Sequence, residues 1–146
     1  MNSLTTDLDK LVALIANNSA LQAFCKAKWR NPLTVKKTYK RREELHLSQL
    51  PIIMITRPSV KKSFLTGARD GTHTLMLYCG FPQENPNKIQ NEFVEFEEKI
   101  DDALLSVHPE SIGFKSIAPV SSVNDEGKYK PACFIVMEVE VQHRRM

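Results

Sequence analysis

The stretch Asn85-Pro86-Asn87-Lys88-Ile89-Gln90-Asn91-Glu92-Phe93-Val94-Glu95-Phe96-Glu97-Glu98-Lys99-Ile100-Asp101-Asp102-Ala103-Leu104-Leu105-Ser106-Val107-His108-Pro109 decides the fold. Asn85 is a strong N-cap residue, and Pro86 suits a first helical turn, where a missing N–H costs nothing. Ile89, Phe93, Phe96, Ile100, Ala103 and Val107 then recur at steps of four and three, which places them on one stripe of a helix, widened by Leu104. Glu92, Glu95, Glu97, Glu98, Asp101 and Asp102 are expected on the remaining, solvated surface. Pro109 disfavours helical geometry at His108, so the predicted helix runs from Pro86 to Val107 and measures roughly 33 Å. An apolar stripe of that length needs a sheet or further helices to cover it.

Outward from this helix, the cover is found on both sides. Leu4, Leu8, Leu11, Val12 and Ile15 predict an amphipathic first helix, with Thr5 or Thr6 as its cap and Asp7 and Asp9 near its positive end. Asn17, Asn18 and Ser19 interrupt it, a shorter helix runs from Ala20 to about Lys28, and Asn31-Pro32 closes that unit. Leu33 to Tyr39 is β-prone but studded with lysine, as an edge strand is. Leu50 to Thr56 and Thr72 to Cys79 read as strands. The intervening Arg57–Gly71 segment, with Pro58, Lys61, Lys62, Gly67, Arg69 and Asp70-Gly71, predicts a long, mobile loop. Ile112–Val120 is a weak strand, Asn124-Asp125-Glu126-Gly127 a turn. Ala132–Gln142 is the last strand, apolar on both faces in its first half and on one in its second. The expectation is a single α+β domain: a mainly antiparallel sheet of four to five strands packed against two to three helices, over residues 1–146.

The net charge of +3 conceals two opposed patches. Lys26, Lys28, Arg30, Lys36, Lys37, Lys40, Arg41 and Arg42 give +8 with no acid between them, whereas seven acids and two lysines between Glu84 and Asp102 give −5. Lys36, Lys37, Lys40, Arg41 and Arg42 have only Glu43 and Glu44 as nearby acids in sequence, and Glu92, Glu95, Glu98 and Asp102 repel one another at helical spacing. Both sets would gain from a partner of opposite sign, which in a homomeric ring a neighbouring subunit would supply. Solvated faces are the plainer reading of both, and Trp29 and Tyr39 beside the basic run are as readily core or rim residues as stacking platforms for bases.

Catalytic and metal motifs are wanting: no Gly-rich phosphate loop, no nucleophile elbow, no Cys-x-x-Cys. His46, His73, His108 and His143 are dispersed, and His73 and Cys79 stand too far apart on one strand for a base and a nucleophile. Cys25, Cys79 and Cys133 read as reduced core residues of a protein made in the cytoplasm. No apolar run reaches the ~20 residues of a membrane span. No enzyme activity, metal or cofactor is expected.

The order of elements resembles that of the tail-terminator (tail-completion) proteins of long-tailed bacteriophages. The similarity is carried by the opening helix Leu4–Ile15, strands Leu50–Thr56 and Thr72–Cys79, the long helix Pro86–Val107 and the closing strand Ala132–Gln142. It is one of size, order and pattern, without a residue motif, and the stretch Lys36–Arg42 has no counterpart in it. The resemblance implies a virion structural protein, a ring of commonly six copies that caps the tail tube and joins tail to neck. Its partners would be further copies of the chain, the tail-tube protein and neck or connector proteins, with non-specific DNA contact in the lumen. Arg57, Lys61, Lys62 and Arg69 would belong to an assembly loop ordered on a neighbour or on the tube. Two other readings stay open: a different connector ring of the neck, and a cytoplasmic nucleic-acid-binding domain using residues 26–42.

Overall fold

The computed structural model describes the backbone of residues 4–63 and 67–143 and the side chains of 5–61 and 71–143. Helices α1 (Leu4–Ala16) and α2 (Ser19–Trp29) are followed by strands β1 (Thr34–Lys36), β2 (Ile52–Ser63) and β3 (Gly67–Pro82). Helix α3 (Pro86–Leu104) then precedes β4 (Phe114–Asn124) and β5 (Ala132–His143). The expected α+β order is the observed one. The strands form one sheet in the order β1-β2-β3-β5-β4, in which only β1 and β2 run parallel.

All three helices lie on one face. Ile53, Ile55, Leu75, Leu77, Cys79, Phe81, Ile135, Met137, Val139 and Val141 alternate inward along β2, β3 and β5, and meet Leu11, Ile15, Leu21, Phe93, Phe96 and Ile100. The centre is aromatic: the Trp29 ring stacks on Phe81 at 4.8 Å and meets Phe96 edge-on at 4.9 Å. Asn18 caps α2, its side chain accepting from the Leu21 N–H at 2.9 Å, and Asn85 caps α3 by accepting from the Asn87 N–H.

Three local expectations need correction. Thr5 and Thr6 lie inside the first turn of α1 and do not cap it, because the helix already begins at Leu4. Helix α3 ends at Leu104, before Pro109 acts: Ser106 donates both its N–H and its hydroxyl to the Ala103 carbonyl, and Val107 leaves the stripe for the surface. The predicted loop Arg57–Gly71 is mostly strand. Ser59, Val60, Lys61 and Ser63 pair with Thr74, His73, Thr72 and Gly67, so Arg57, Lys61, Lys62 and Arg69 belong to a β2–β3 arm. Pro58, the residue that argues most for a loop, falls in the register shift between Thr56 and Ser59, where a bulge accommodates its missing N–H. Residues 64–66 and the side chains of Lys62 and Arg69 lie outside the described residues.

Gly113 ends the short turn Pro109–Ile112 at φ +92°, and a Cβ there would stand 2.1 Å from the buried Asp7 carboxylate. Both the positive φ and the collision oppose any larger residue. Gly113→Ala should lower stability by at least ~2 kcal/mol, read as a shift in urea midpoint, with a smaller loss for Gly127→Ala.

Candidate functional site

Because β1 and β2 are parallel neighbours, the chain must return across the sheet between them, and residues 37–51 do so over the helix-free face. This return carries most of the basic run. Beneath it a second, smaller core forms from Leu50, Ile52, Met54 and Phe134, flanked by Leu45, Tyr78 and Ala132. Arg42 fastens the return to the far hairpin. Its guanidinium lies 4.1 Å from the Tyr129 ring centre and 5.0 Å from that of Phe134, and donates to Asp125 Oδ2 at 2.8 Å. Asp125 in turn accepts from the Phe134 and Gly127 N–H groups, fixing the predicted turn around Glu126 and Gly127, both at positive φ.

Half of the basic run, four cations of eight, is thus engaged within the chain. Lys28 pairs with Glu95, Lys37 with Asp9, Arg41 with Glu44 and Arg42 with Asp125. The partners Asp9, Glu95 and Asp125 are remote in sequence, which is why counting nearby acids missed them. Lys36 and Lys40 have no ion pair among the described residues. Lys40 and Arg41 stand on the rim of a recess of about 290 Å³ between the return and the sheet, whose floor is Met54, Tyr78, Phe134 and Val136. Tyr39, half-exposed, meets Tyr78 edge-on at 4.7 Å and closes one side.

The acidic helix also divides. Glu92, expected on the solvated face, is buried: its carboxylate accepts from Trp29 Nε1 at 2.9 Å and from Gln83 Nε2 at 2.9 and 3.0 Å. It stands three residues after Ile89 and four before Phe96, which puts it on the stripe by spacing alone. Trp29 is accordingly a core residue. Glu95 is half-buried beside Lys28, and Glu97 accepts from the Ser122 hydroxyl. Glu98 and Asp102 are exposed, in line with the exposed apolar side chains of Val94 and Leu105. Burial first, and then Glu97, Asp102 and Glu98, push the Asp101 carboxyl above the usual carboxylate range, a sign of crowded negative charge.

Three further ionisable residues are buried: Asp7, His73 and His143. His143 Nδ1 is 2.7 Å from Asp7 Oδ2, tying the end of β5 to the first turn of α1. His73 Nδ1 lies 3.4 Å from an Arg57 guanidinium nitrogen, an arrangement that keeps the lone pair on Nδ1. Each sits in phase with an apolar stripe: Asp7 with Leu8 and Leu11, His73 with Leu75 and Leu77, His143 with Val139 and Val141. That phase was the available signal.

Cys25, Cys79 and Cys133 are buried and free; burial pushes the Cys25 thiol up to about 12 and that of Cys133 to about 11, and raises Cys79 further. Among the described residues no group of three or more His, Cys, Asp or Glu is placed to hold a metal ion, and no helix is long and apolar enough to cross a membrane. In comparison with known proteins, the chain matches no protein family and no curated protein.

Two outcomes follow from the buried groups. Glu92→Ala leaves the Trp29 and Gln83 donors unpaired in the core, at a cost of about 2–4 kcal/mol, whereas Glu98→Ala on the exposed face should fall within about 0.5 kcal/mol. Urea unfolding followed by the emission of the single tryptophan, Trp29, measures both.

Burial first, then Arg57 and His143, hold His73 below the ordinary histidine range. The unfolded chain therefore takes up this proton at a higher pH than the folded one. Stability should fall as pH drops below about 6.5, and this loss is complete once pH passes below the folded value. His73→Gln should flatten that part of the profile relative to the parent, measured as urea midpoints between pH 7.5 and 5.

Proposed function

We propose that the chain is a virion structural protein, a tail terminator that closes as a homomeric ring on the end of a phage tail tube and joins it to the neck. The observation that carries this reading is the two-sidedness of the subunit. Helices cover one face of the sheet, while the other is covered only over its first half, by residues 37–51. Val123 on β4 and Tyr129 in the β4–β5 connection are left exposed. Surfaces of this kind suit a subunit whose remaining cover is supplied by neighbours. The element order supports the resemblance to tail terminators, and the β2–β3 arm takes the place of the assembly loop, with Arg57 and Lys61 exposed along it.

Against a nucleic-acid-binding domain stands the engagement of the basic run: four of its eight cations, Lys28, Lys37, Arg41 and Arg42, already hold carboxylates of the same chain. Phosphate binding would have to compete with those pairs. Native mass spectrometry over a concentration series, with electron microscopy of tail ends, tests the assignment. Closed oligomers formed without DNA, and the protein at the terminus of purified tails, are the expected results. A strict monomer absent from tails, or one that associates only on adding DNA, would overturn it.

A further inference from the structure

We propose that the outer ridge of α3 of one copy docks in the recess beneath the 37–51 return of the next, Val94 or Leu105 entering the apolar floor while Glu98 and Asp102 meet Lys40 and Arg41. This rests on the reading of the chain as a ring subunit and names the contact that would close it.

Two independent sets of side chains carry the inference. On α3, the ridge opposite the buried stripe bears Val94, Glu98, Asp102 and Leu105 at steps of four, four and three. Val94 on α3 is 57% and Leu105, its C-cap, 60% exposed. Each is an apolar knob set beside Glu98 or Asp102, which have no ion pair among the described residues. The recess is its converse: an apolar floor of Met54, Tyr78, Phe134 and Val136 inside a rim of Lys40, Arg41, Arg42 and Glu43 with net positive charge, where Arg41 and Arg42 also hold Glu44 and Asp125 and Lys40 has no ion pair among the described residues. At about 290 Å³ it admits one or two aliphatic side chains and no bulky ligand.

The placement of the two surfaces decides the occupant. Helix α3 packs on one face of the sheet and the recess opens on the other, so one copy cannot satisfy itself. A contact between different patches is heterologous, and repeated by rotation it closes a ring. A second copy of the chain therefore supplies both the shape and the charge that the recess lacks.

The test uses two full-length variants, Lys40→Cys and Glu98→Cys, both at exposed positions. The native thiols are buried and hard to ionise, so the introduced ones are oxidised selectively. Under mild oxidation at concentrations where the parent associates, and again on purified tail tubes, a disulfide should form when the variants are mixed and not in either alone. The charge-reversed sets Lys40→Glu with Arg41→Glu, and Glu98→Lys with Asp102→Lys, should each associate roughly tenfold more weakly, and mixing the two should restore part of the loss. Unchanged circular dichroism and urea midpoints exclude misfolding as the cause. Oligomers without the 40–98 link, or charge-reversed sets that associate like the parent, would overturn this contact while leaving the ring standing. A parent protein that stays monomeric alone and on tubes would overturn both.

Discussion

The parallel pairing of β1 with β2 is the constraint from which the second core of this molecule and the recess above it follow. An antiparallel neighbour is reached by a tight turn, but a parallel one obliges the chain to travel back along the whole strand. Here the return of residues 37–51 contains only two single-turn helices, at Arg42–Glu44 and Leu47–Gln49, and lies over the face that α1, α2 and α3 leave uncovered. A basic run that would otherwise decorate an edge is thereby laid across a sheet. Its aromatic and cationic side chains then become walls, with Met54, Tyr78, Phe134 and Val136 as the floor.

Charge follows the same economy of position. A carboxylate near a cation in space is used within the chain whatever its distance in sequence, as Lys28–Glu95 and Arg42–Asp125 demonstrate. Exposed pairs such as Lys28–Glu95 add at most ~1 kcal/mol each. The Arg42–Asp125 pair differs because Tyr129, Phe134 and two backbone N–H groups join it. What is left over after these pairings, chiefly Lys40 on one side of the sheet and Glu98 and Asp102 on the other, is the charge available to a neighbour.

The fold was legible because hydrophobic period and turn chemistry agreed along the chain. Asn85-Pro86 opened α3 where expected, and the alternation of Cys133, Ile135, Met137, Val139 and Val141 set the face of β5. Charge was harder to place. Glu92, Asp7, His73 and His143 all fall in phase with apolar stripes, yet Glu92 was expected in solvent with the other acids of its helix and the burial of the other three was not anticipated. Their burial depends on partners, Trp29 and Gln83 for Glu92 and His143 for Asp7, that only the folded chain brings near. The β2–β3 arm was hidden for a different reason. Pro58 and the glycines near its tip are loop residues by local rule, and only the pairing register with β3 turns them into a bulged ladder. The recess lay beyond sequence reasoning altogether, since its walls and floor come from stretches as far apart as Tyr39 and Val136.

The clasp between Arg42 and Asp125 joins residues 83 positions apart. Such a closure forms late, since the entropy of bringing distant segments together is recovered only once both are in place. During synthesis the return segment emerges well before the β4–β5 hairpin that anchors it. Until that hairpin is made, the return is held only by its contacts with β2 and β3, such as Tyr39 on Tyr78 and the Lys40 N–H on Met54. On the proposed reading, a nascent or truncated chain would lack one anchor of the surface through which copies recognise one another. The clasp would then make competence for assembly conditional on a finished subunit.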